Sequence, residues 1–268
     1  MGGAILAVAL GSIARADDII ALAPHVAVYD LKLQDPRRSS IRAVHGAITY
    51  DFSGTACDGY NLKTSIVTAV DMGAGKVGPT EEIRSESWEA GDGAIFRFRT
   101  QNFANDKLTG ETAGEAARRQ SVVEVGLLKP QMKTVKLTPD VLFPTQFSLR
   151  ILTAARTGQP VPVLTMLEGS ENGVTTYRTL VAVGPPINNG QQQNEVDVRV
   201  PALSSMLRWP VTVSYFKKYS PASDPPLYEV KSEIYNNGIS RALLLDYNAF
   251  VLSGELTSLN IKDGKAGP

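Results

Sequence analysis

The sequence predicts a mainly β protein in which one large antiparallel sheet curls into an open barrel, or β-spiral, around a single amphipathic helix. Three observations support this fold class. Apolar and polar residues alternate with a period of two along most of the chain, as they do in half-buried strands. Turn-forming runs of Gly, Asn and Asp separate these segments, and only one long segment has helical spacing. Because no repeat, linker or change of composition divides the chain, residues 17–268 are expected to form one domain.

The first 16 residues are expected to be a signal peptide. Residues 2–11 are small and apolar, and Ala14-Arg15-Ala16 has the small-x-small pattern that a signal peptidase reads, so we place cleavage after Ala16. The apolar run is much shorter than the ~20 residues that a membrane span needs. No Lys or Arg precedes the run, which is unusual for an export signal. The segment nevertheless predicts a soluble, exported protein.

Strands that pair with their sequence neighbours are predicted for the first half of the mature chain. In "HVAVYDLKL" alternate residues from Ala27 to Leu33 share one face. The run Gly91-Asp92-Gly93 can supply the positive φ angles of a tight hairpin. The segments that alternate in the same way are residues 44–52, "TEEIRSESWEA", "AIFRFRT", "VVEVGLL" and "KTVKLT".

The segment "GAGKVG", from Gly73 to Gly78, matches the glycine pattern of dinucleotide-binding loops. That pattern binds a pyrophosphate only where a helix begins directly after it. Here Pro79 follows, and a strand is predicted next. We therefore interpret the segment as a hairpin loop and predict no cofactor.

One helix is predicted in "FPTQFSLRILTAARTG". Pro144 is suited to the first helical position, and Gly158 is suited to the position after the last turn. A second, short helix is expected in "PALSSML". The apolar stripe of the main helix, which must be buried against the sheet, consists of Phe147, Ile151, Leu152 and Ala155.

The second half of the chain returns to strand patterns. The runs Glu171-Asn172-Gly173 and Asn236-Asn237-Gly238 predict tight turns between neighbouring strands. The predicted strands are "PVLTMLEG", "TTYRTLVAV", "PVTVSYF", "LYEVKSEIY", "ISRALLLDY" and "FVLSGELTSLNI".

Charge and residue types exclude several classes of function. The chain has 27 basic and 27 acidic residues, and no basic cluster is larger than a pair, so nucleic acid is not an expected partner. The two histidines, His25 and His45, have neither metal-ligand spacing nor a cysteine pair beside them, so no metal is expected. Trp88 and Trp209 are interpreted as packing residues of the core or its rim. No combination of residues predicts a catalytic site.

Cys57, in "GTACDGY", is the single cysteine of the chain. A lone cysteine in an exported protein can be a nucleophile, a ligand, a lipid attachment point or one half of a disulfide. Lipid attachment would require the cysteine at the signal cleavage point, and Cys57 lies far downstream. From the residues alone, the thiol can still be a nucleophile, a ligand or one half of a disulfide.

Several longer phrases resemble the EipB family of periplasmic cell-envelope integrity proteins. The resemblance covers nearly the whole mature chain, and its opening and its last phrase are the most specific parts. The phrases are "LAPHVAVYDLKL", "GAITYDFSGTACDGY", "DGAIFRFRTQNF", "LFPTQF", "WPVTVSYF" and "PLYEVKSEIYNNGISRALLLDYNAFVLSGELTSLNI".

The resemblance implies an open, spiral-like β-barrel in the periplasm that supports envelope integrity without enzymatic activity. It also implies that Cys57 occupies the first position of a family disulfide whose second cysteine lies near the C-terminus. That partner is absent from this chain. Either the sequence ends before that cysteine, or the bridge is lost and the thiol of Cys57 is expected to be buried or to pair between chains.

Three functional hypotheses follow, of which the third is a hydrolase whose catalytic residues form no recognisable motif. The first is a non-enzymatic periplasmic factor that acts by binding a protein partner or an envelope component. The second is a carrier that binds a lipid, or the acyl chain of a lipoprotein, in an apolar cleft of the curled sheet.

The predicted export signal can be tested directly. N-terminal sequencing of the protein purified from periplasm should begin at Asp17, because cleavage is expected after Ala16. Full-length chain confined to the cytoplasm would contradict the prediction.

Overall fold

The computed structural model describes residues 20–38, 40–74, 77–188, 200–221 and 223–263. The predicted signal peptide and its cleavage site at Ala16 lie outside these residues. Within the described part of the chain, no helix has the length and apolarity that crossing a membrane requires.

Fifteen strands and one α-helix make up the described fold, together with a short 3-10 helix at Pro201–Leu203. The helix, α1, spans Pro144–Thr157 between β9 and β10. The strands are β1 His25–Asp35, β2 Ala43–Thr55, β3 Gly59–Asp71, β4 Glu81–Glu89, β5 Ile95–Ala104, β6 Lys107–Arg118, β7 Val123–Lys129, β8 Lys133–Leu137, β9 Val141–Leu142, β10 Leu164–Leu167, β11 Thr176–Val183, β12 Arg208–Lys217, β13 Tyr228–Tyr235, β14 Ser240–Asp246 and β15 Val251–Ile261.

All fifteen strands belong to one sheet, in the order β8-β7-β6-β5-β4-β3-β2-β1-β15-β14-β13-β12-β11-β10-β9. The first and last strands pair, from His25 opposite Ile261 to Asp35 opposite Val251. The two edge strands, β8 and β9, are consecutive in the chain, so the sheet curls into a nearly closed barrel. This confirms the predicted fold class, with one parallel pair, β9 and β10, where α1 carries the chain between them.

Arg118, at the end of β6, joins the two sides of the gap between the edges. Its guanidinium donates hydrogen bonds to the carbonyl oxygens of Pro139, at 2.6 Å, and Val141, at 2.9 Å. The same guanidinium lies over the ring of Phe143, 5.2 Å from the centroid. One side chain therefore holds the segment that leads from β8 to β9 against the β6 side of the barrel.

The predicted alternation is confirmed in β1, where Ala27, Tyr29 and Leu31 are buried in the lumen. Of the predicted turns, Gly93, Gly173 and Gly238 all have positive φ. The segment that begins at Gly73 is the β3–β4 hairpin connection, as expected.

Two long strands, β3 and β6, do not follow from the predicted pattern. The β6 sequence is rich in Ala, Gly and Glu, a composition without strand preference. Packing explains its small residues: a side chain at Gly114 would come within 2.8 Å of the carbonyl oxygen of Gly126 and 2.9 Å of the ring of Phe98. Contacts with neighbouring strands therefore decide the conformation of β6.

The helix forms where it was predicted, and its stripe of Phe147, Ile151, Leu152 and Ala155 is buried. Gly158 ends it in the left-handed conformation, with φ of 66°. The second predicted helix, "PALSSML", is shorter than expected and forms only the 3-10 turn at residues 201–203.

A carboxylate from the sheet caps the N-terminus of α1. The N-cap residue, Phe143, has no side chain able to accept a hydrogen bond from the first turn. Glu89 of β4 takes this role: its two oxygens accept from the backbone N–H groups of Thr145, at 2.7 Å, and Gln146, at 3.0 Å. Burial raises the pKa of Glu89, while these two hydrogen bonds lower it. The contact ties α1 to the half of the sheet that precedes it in the chain.

Replacing Glu89 with Ala should reduce the free energy of unfolding by about 1–3 kcal/mol, because two buried N–H groups lose their acceptor. Urea denaturation measures the change. Glu86→Ala, on the exposed face of the same strand, is the control and should cost less than about 0.5 kcal/mol. Equal effects of the two substitutions would show that the cap does not hold the helix.

Candidate functional site

A cavity of about 480 Å³ lies inside the curled sheet, between α1 and the wall formed by β1, β2 and β3. α1 packs through Phe147 and Ile151 against β10 to β13, where Met166, Val211 and Val213 are buried. These three residues also line the cavity, which forms a slot that extends from them and from α1 to the opposite wall. The residues of that wall that line the slot are His25, Tyr29, Ile48, Tyr50, Phe52, Leu62, Thr64 and Ile66.

The lining of the cavity is mainly aliphatic and aromatic. Among the described residues, no lysine or arginine lines it, and its only carboxylate is Glu168. A permanently charged group would therefore be buried there without an opposite charge, which is costly. The cavity suits an apolar ligand with few polar atoms.

His25, at the start of β1, is a buried imidazole in this lining. Its Nδ1 atom lies 2.7 Å from the carbonyl oxygen of Ala23, which can only accept a hydrogen bond, so Nδ1 carries the proton. Burial is the main cause that lowers the pKa of His25, and nearby Lys262 lowers it further, while the Ala23 hydrogen bond and Asp51 raise it. The ring is therefore neutral at neutral pH.

Aromatic rings continue from His25 along this wall of the lumen. The rings of His25 and Tyr50 are stacked with centroids 5.4 Å apart, and Phe52 and Tyr60 extend the row at 6.4 and 5.7 Å. The residues alternate along β2 and continue on β3, so the row follows from the period of the strands. It forms a flat, apolar surface opposite α1.

Glu168 marks a second polar position in the cavity. Its carboxylate accepts hydrogen bonds from the hydroxyl groups of Tyr228, at 3.1 Å, and Ser170, at 3.2 Å. Burial raises the pKa of Glu168, and these hydrogen bonds lower it. The ring of Tyr228 stacks on Tyr215 with centroids 4.4 Å apart. This group is internally hydrogen-bonded and forms part of the protein scaffold.

The turn between β10 and β11 follows Glu168 and crosses the lumen. The Thr112 hydroxyl of β6 donates to the carbonyl oxygen of Glu171 at 2.6 Å. Gly169 and Gly173 lie against the ring of Phe98, where a side chain at either position would come within 3.0 Å of the ring. The turn therefore separates the cavity from the packed core between β5, β6 and β7.

Cys57, the predicted family disulfide position, is exposed in the turn between β2 and β3. The expectation of a buried thiol is therefore wrong, because a turn at the end of the barrel lies outside the sheet.

The two histidines are not brought together. His45 is exposed on the outer face of β2, whereas His25 is buried inside. Trp209 is buried beside α1, and Trp88 is half-buried under the guanidinium of Arg97, at 4.9 Å, so both are packing residues as predicted. The described ranges contain no group of three or more His, Cys, Asp or Glu side chains that could hold a metal ion.

Several lining residues were not foreseen as part of a site. Tyr50 belongs to the alternating segment 44–52, but the sequence contains no sign that a cavity would lie in front of it. Glu168 interrupts an apolar run, "VLTMLEG", which is the one sequence feature that could have indicated a polar group inside the barrel. Leu62 and Ile66 belong to β3, which was not predicted.

Comparisons with known proteins agree on one family. The profile of the EipB-like family matches residues 16–263. The cell envelope integrity protein EipB of Brucella abortus (strain 2308) is 32% identical over 254 residues, which cover 93% of this chain and 88% of the relative.

A solved structure is similar over most of the fold. The crystal structure of a β-barrel-like protein of a domain of unknown function, from Brucella abortus, superposes with a TM-score of 0.84 at 31% identity. The alignment covers 91% of this chain and 100% of the other.

The buried, neutral His25 predicts an acid-sensitive contribution to stability. The unfolded chain takes up a proton near the ordinary pKa of 6.5, and the folded chain does so only at lower pH, so this contribution is present above pH 6.5 and is lost as pH falls. Between pH 7.5 and 5.5 the loss is at most about 1.4 kcal/mol.

Denaturation of the parent and of His25→Gln at both pH values measures this loss. The parent should lose more stability on acidification than His25→Gln does. Glu89 and Glu168, whose pKa values are raised, act with the opposite sign but are present in both proteins. His45→Gln, on the outer face, is the control and should behave like the parent; identical pH dependence in all three would refute the assignment.

Proposed function

The chain belongs to the EipB-like family, and from that premise we propose that it is a periplasmic protein that supports cell-envelope integrity by binding an acyl chain of a lipid or lipoprotein in its lumen. The envelope role is suggested by the name of the Brucella relative. The periplasmic location is suggested by the predicted export signal. The proposal involves binding alone and no catalysed reaction.

The apolar cavity between α1 and the β1–β3 wall carries this proposal. Its volume, about 480 Å³, lies within the range of small-molecule sites, and its lining is mainly hydrocarbon. An acyl chain that fills the slot would remove apolar surface from water on both sides, on the helix and on the sheet. The helix stripe then has two roles, since Phe147 and Ile151 pack on one wall and also line the slot.

The arrangement of candidate reactive groups supports binding in preference to catalysis. Cys57 is exposed in a turn, whereas His25 is buried with Nδ1 bound to a backbone carbonyl. Glu168 accepts hydrogen bonds from two hydroxyl groups that belong to the scaffold. These side chains do not form a hydrogen-bonded chain of nucleophile, base and orienting acid.

A substitution that fills the slot tests the proposal. Thr64 lines the cavity on β3, and its neighbour Lys63 is exposed on the outer face of the same strand. Thr64→Trp should abolish binding of 1-monopalmitoylglycerol, an uncharged acyl probe, because the indole would occupy the slot. Lys63→Trp should bind as the parent does, and both variants should keep the circular dichroism spectrum of the parent.

Titration calorimetry and native mass spectrometry of protein purified from periplasm measure the binding. The parent should carry or take up one acyl ligand. A parent that binds no acyl probe, or a Thr64→Trp variant that binds as well as the parent, would exclude the lumen as the site. Contact with a protein partner would then remain as the way in which the family acts.

A further inference from the structure

Two polar side chains of the lumen, His25 and Tyr50, each have one polar atom that makes no hydrogen bond with the described part of the protein. With Nδ1 bound to Ala23, the imidazole of His25 has its second nitrogen, Nε2, left as a hydrogen-bond acceptor. Within the described part of the chain, neither Nε2 nor the Tyr50 hydroxyl makes a hydrogen bond. Both residues line the cavity, and their rings are stacked at 5.4 Å.

Tyr29, on the neighbouring strand β1, differs from Tyr50 because its hydroxyl has a hydrogen-bond partner within the protein. Its hydroxyl also lies in the lumen and donates to the carbonyl oxygen of Ser240 at 2.7 Å. The Tyr50 side chain is half-buried, and burial raises its pKa to about 12, so it remains a neutral donor at physiological pH. Its hydroxyl has no hydrogen-bond partner among the described residues, so a ligand or water in the cavity can satisfy it.

The pair therefore adds one acceptor and one donor, carried on two stacked rings, to the lining of an apolar slot. A carboxylic acid group has the complementary set, one O–H donor and one carbonyl acceptor. A phosphate ester would bring a permanent negative charge into a lining that contains no lysine or arginine among the described residues. The carboxylate of Glu168, which also belongs to the lining, would repel an anionic group. The part of the cavity at His25 and Tyr50 therefore suits a carboxylic acid better than a phosphate ester.

We propose that His25 and Tyr50 bind the carboxyl group of a long-chain fatty acid whose hydrocarbon chain occupies the slot. This inference rests on the proposed function and names its ligand class. The Tyr50 hydroxyl donates to one carboxyl oxygen, and one proton is shared between the other oxygen and Nε2 of His25. No covalent bond to the protein forms or breaks.

Binding is coupled to the uptake of one proton. Near pH 7.5 the free fatty acid is a carboxylate and the free imidazole is neutral, so the shared proton must come from solvent. The charged groups around His25 are Lys262, which follows β15, and Asp51 of β2, and these two form an ion pair with each other. Tyr50 stacks on His25, and its hydroxyl stays neutral at this pH because burial raises its pKa to about 12.

The test compares two probes of equal chain length, palmitate and 1-monopalmitoylglycerol. At pH 6.5 the parent should bind palmitate at least tenfold more tightly than 1-monopalmitoylglycerol. Its affinity for palmitate should rise by up to about tenfold when the pH falls from 7.5 to 6.5. Calorimetry in two buffers of different ionisation enthalpy should show uptake of about one proton with palmitate and none with the glycerol ester.

Tyr50→Phe removes only the hydroxyl and should weaken palmitate binding at least fivefold, and by a larger factor than it weakens binding of the glycerol ester. His25→Gln should abolish proton uptake, and His45→Gln is its control on the outer face. If His25→Gln fails to fold, proton uptake by the parent and the Tyr50→Phe comparison still decide the matter.

The outcomes separate the two proposals. If the parent binds both probes equally and without proton uptake, the carboxyl site is wrong and the acyl-binding lumen stands. If Tyr50→Phe weakens both probes equally, the hydroxyl acts on the shape of the slot and the carboxyl site is again wrong. If neither probe binds, both proposals are overturned.

Discussion

Glu89 on β4 accepts two hydrogen bonds from the first turn of α1, and this contact connects the two halves of the curled sheet through the helix. The helix lies between β9 and β10, so its own neighbours in the chain could hold it only on one side. With Glu89 as its cap, α1 is fixed inside the barrel, with its apolar stripe against β10 to β13. The size of the lumen, the position of the slot and the separation of the packed core all depend on this placement.

The lumen is divided into parts with different physical character. The core between β5, β6, β7 and β9 is closely packed around Phe96, Phe98 and Phe143. The slot in front of α1 is open, and the turn at Gly169 lies between it and the packed core. Natural cores rarely contain unfilled apolar space of this size, and such space is a common feature of ligand sites. The polar atoms of His25 and Tyr50 then decide which end of a ligand the slot can accept.

Closure of the barrel depends on backbone pairing and on one arginine. Pairing of β1 with β15 brings the two ends of the described chain together over ten residue pairs. The remaining gap between β8 and β9 is held by Arg118, whose planar guanidinium can donate to Pro139 and Val141 at once. Cys57, the position of the family disulfide implied by the resemblance, is the single cysteine of this sequence. Pairing of the terminal strands already provides a link between the early and late parts of the sheet.

The sequence by itself determined the strand periods, the turns at Gly93, Gly173 and Gly238, and the helix from Pro144 to Gly158, because these depend on local backbone preferences and on which face is apolar. Only the tertiary structure decided that β6 is a strand. Position 114 in this strand is a glycine because a side chain there would clash with the Phe98 ring and with a backbone carbonyl of β7. The tertiary structure also decided that Glu89 caps a helix more than 50 residues away, that Cys57 is exposed and that Tyr50 faces a cavity. These features arise from contacts between distant segments, and alternation along a single strand shows only that a side chain points inward, without showing what lies in front of it.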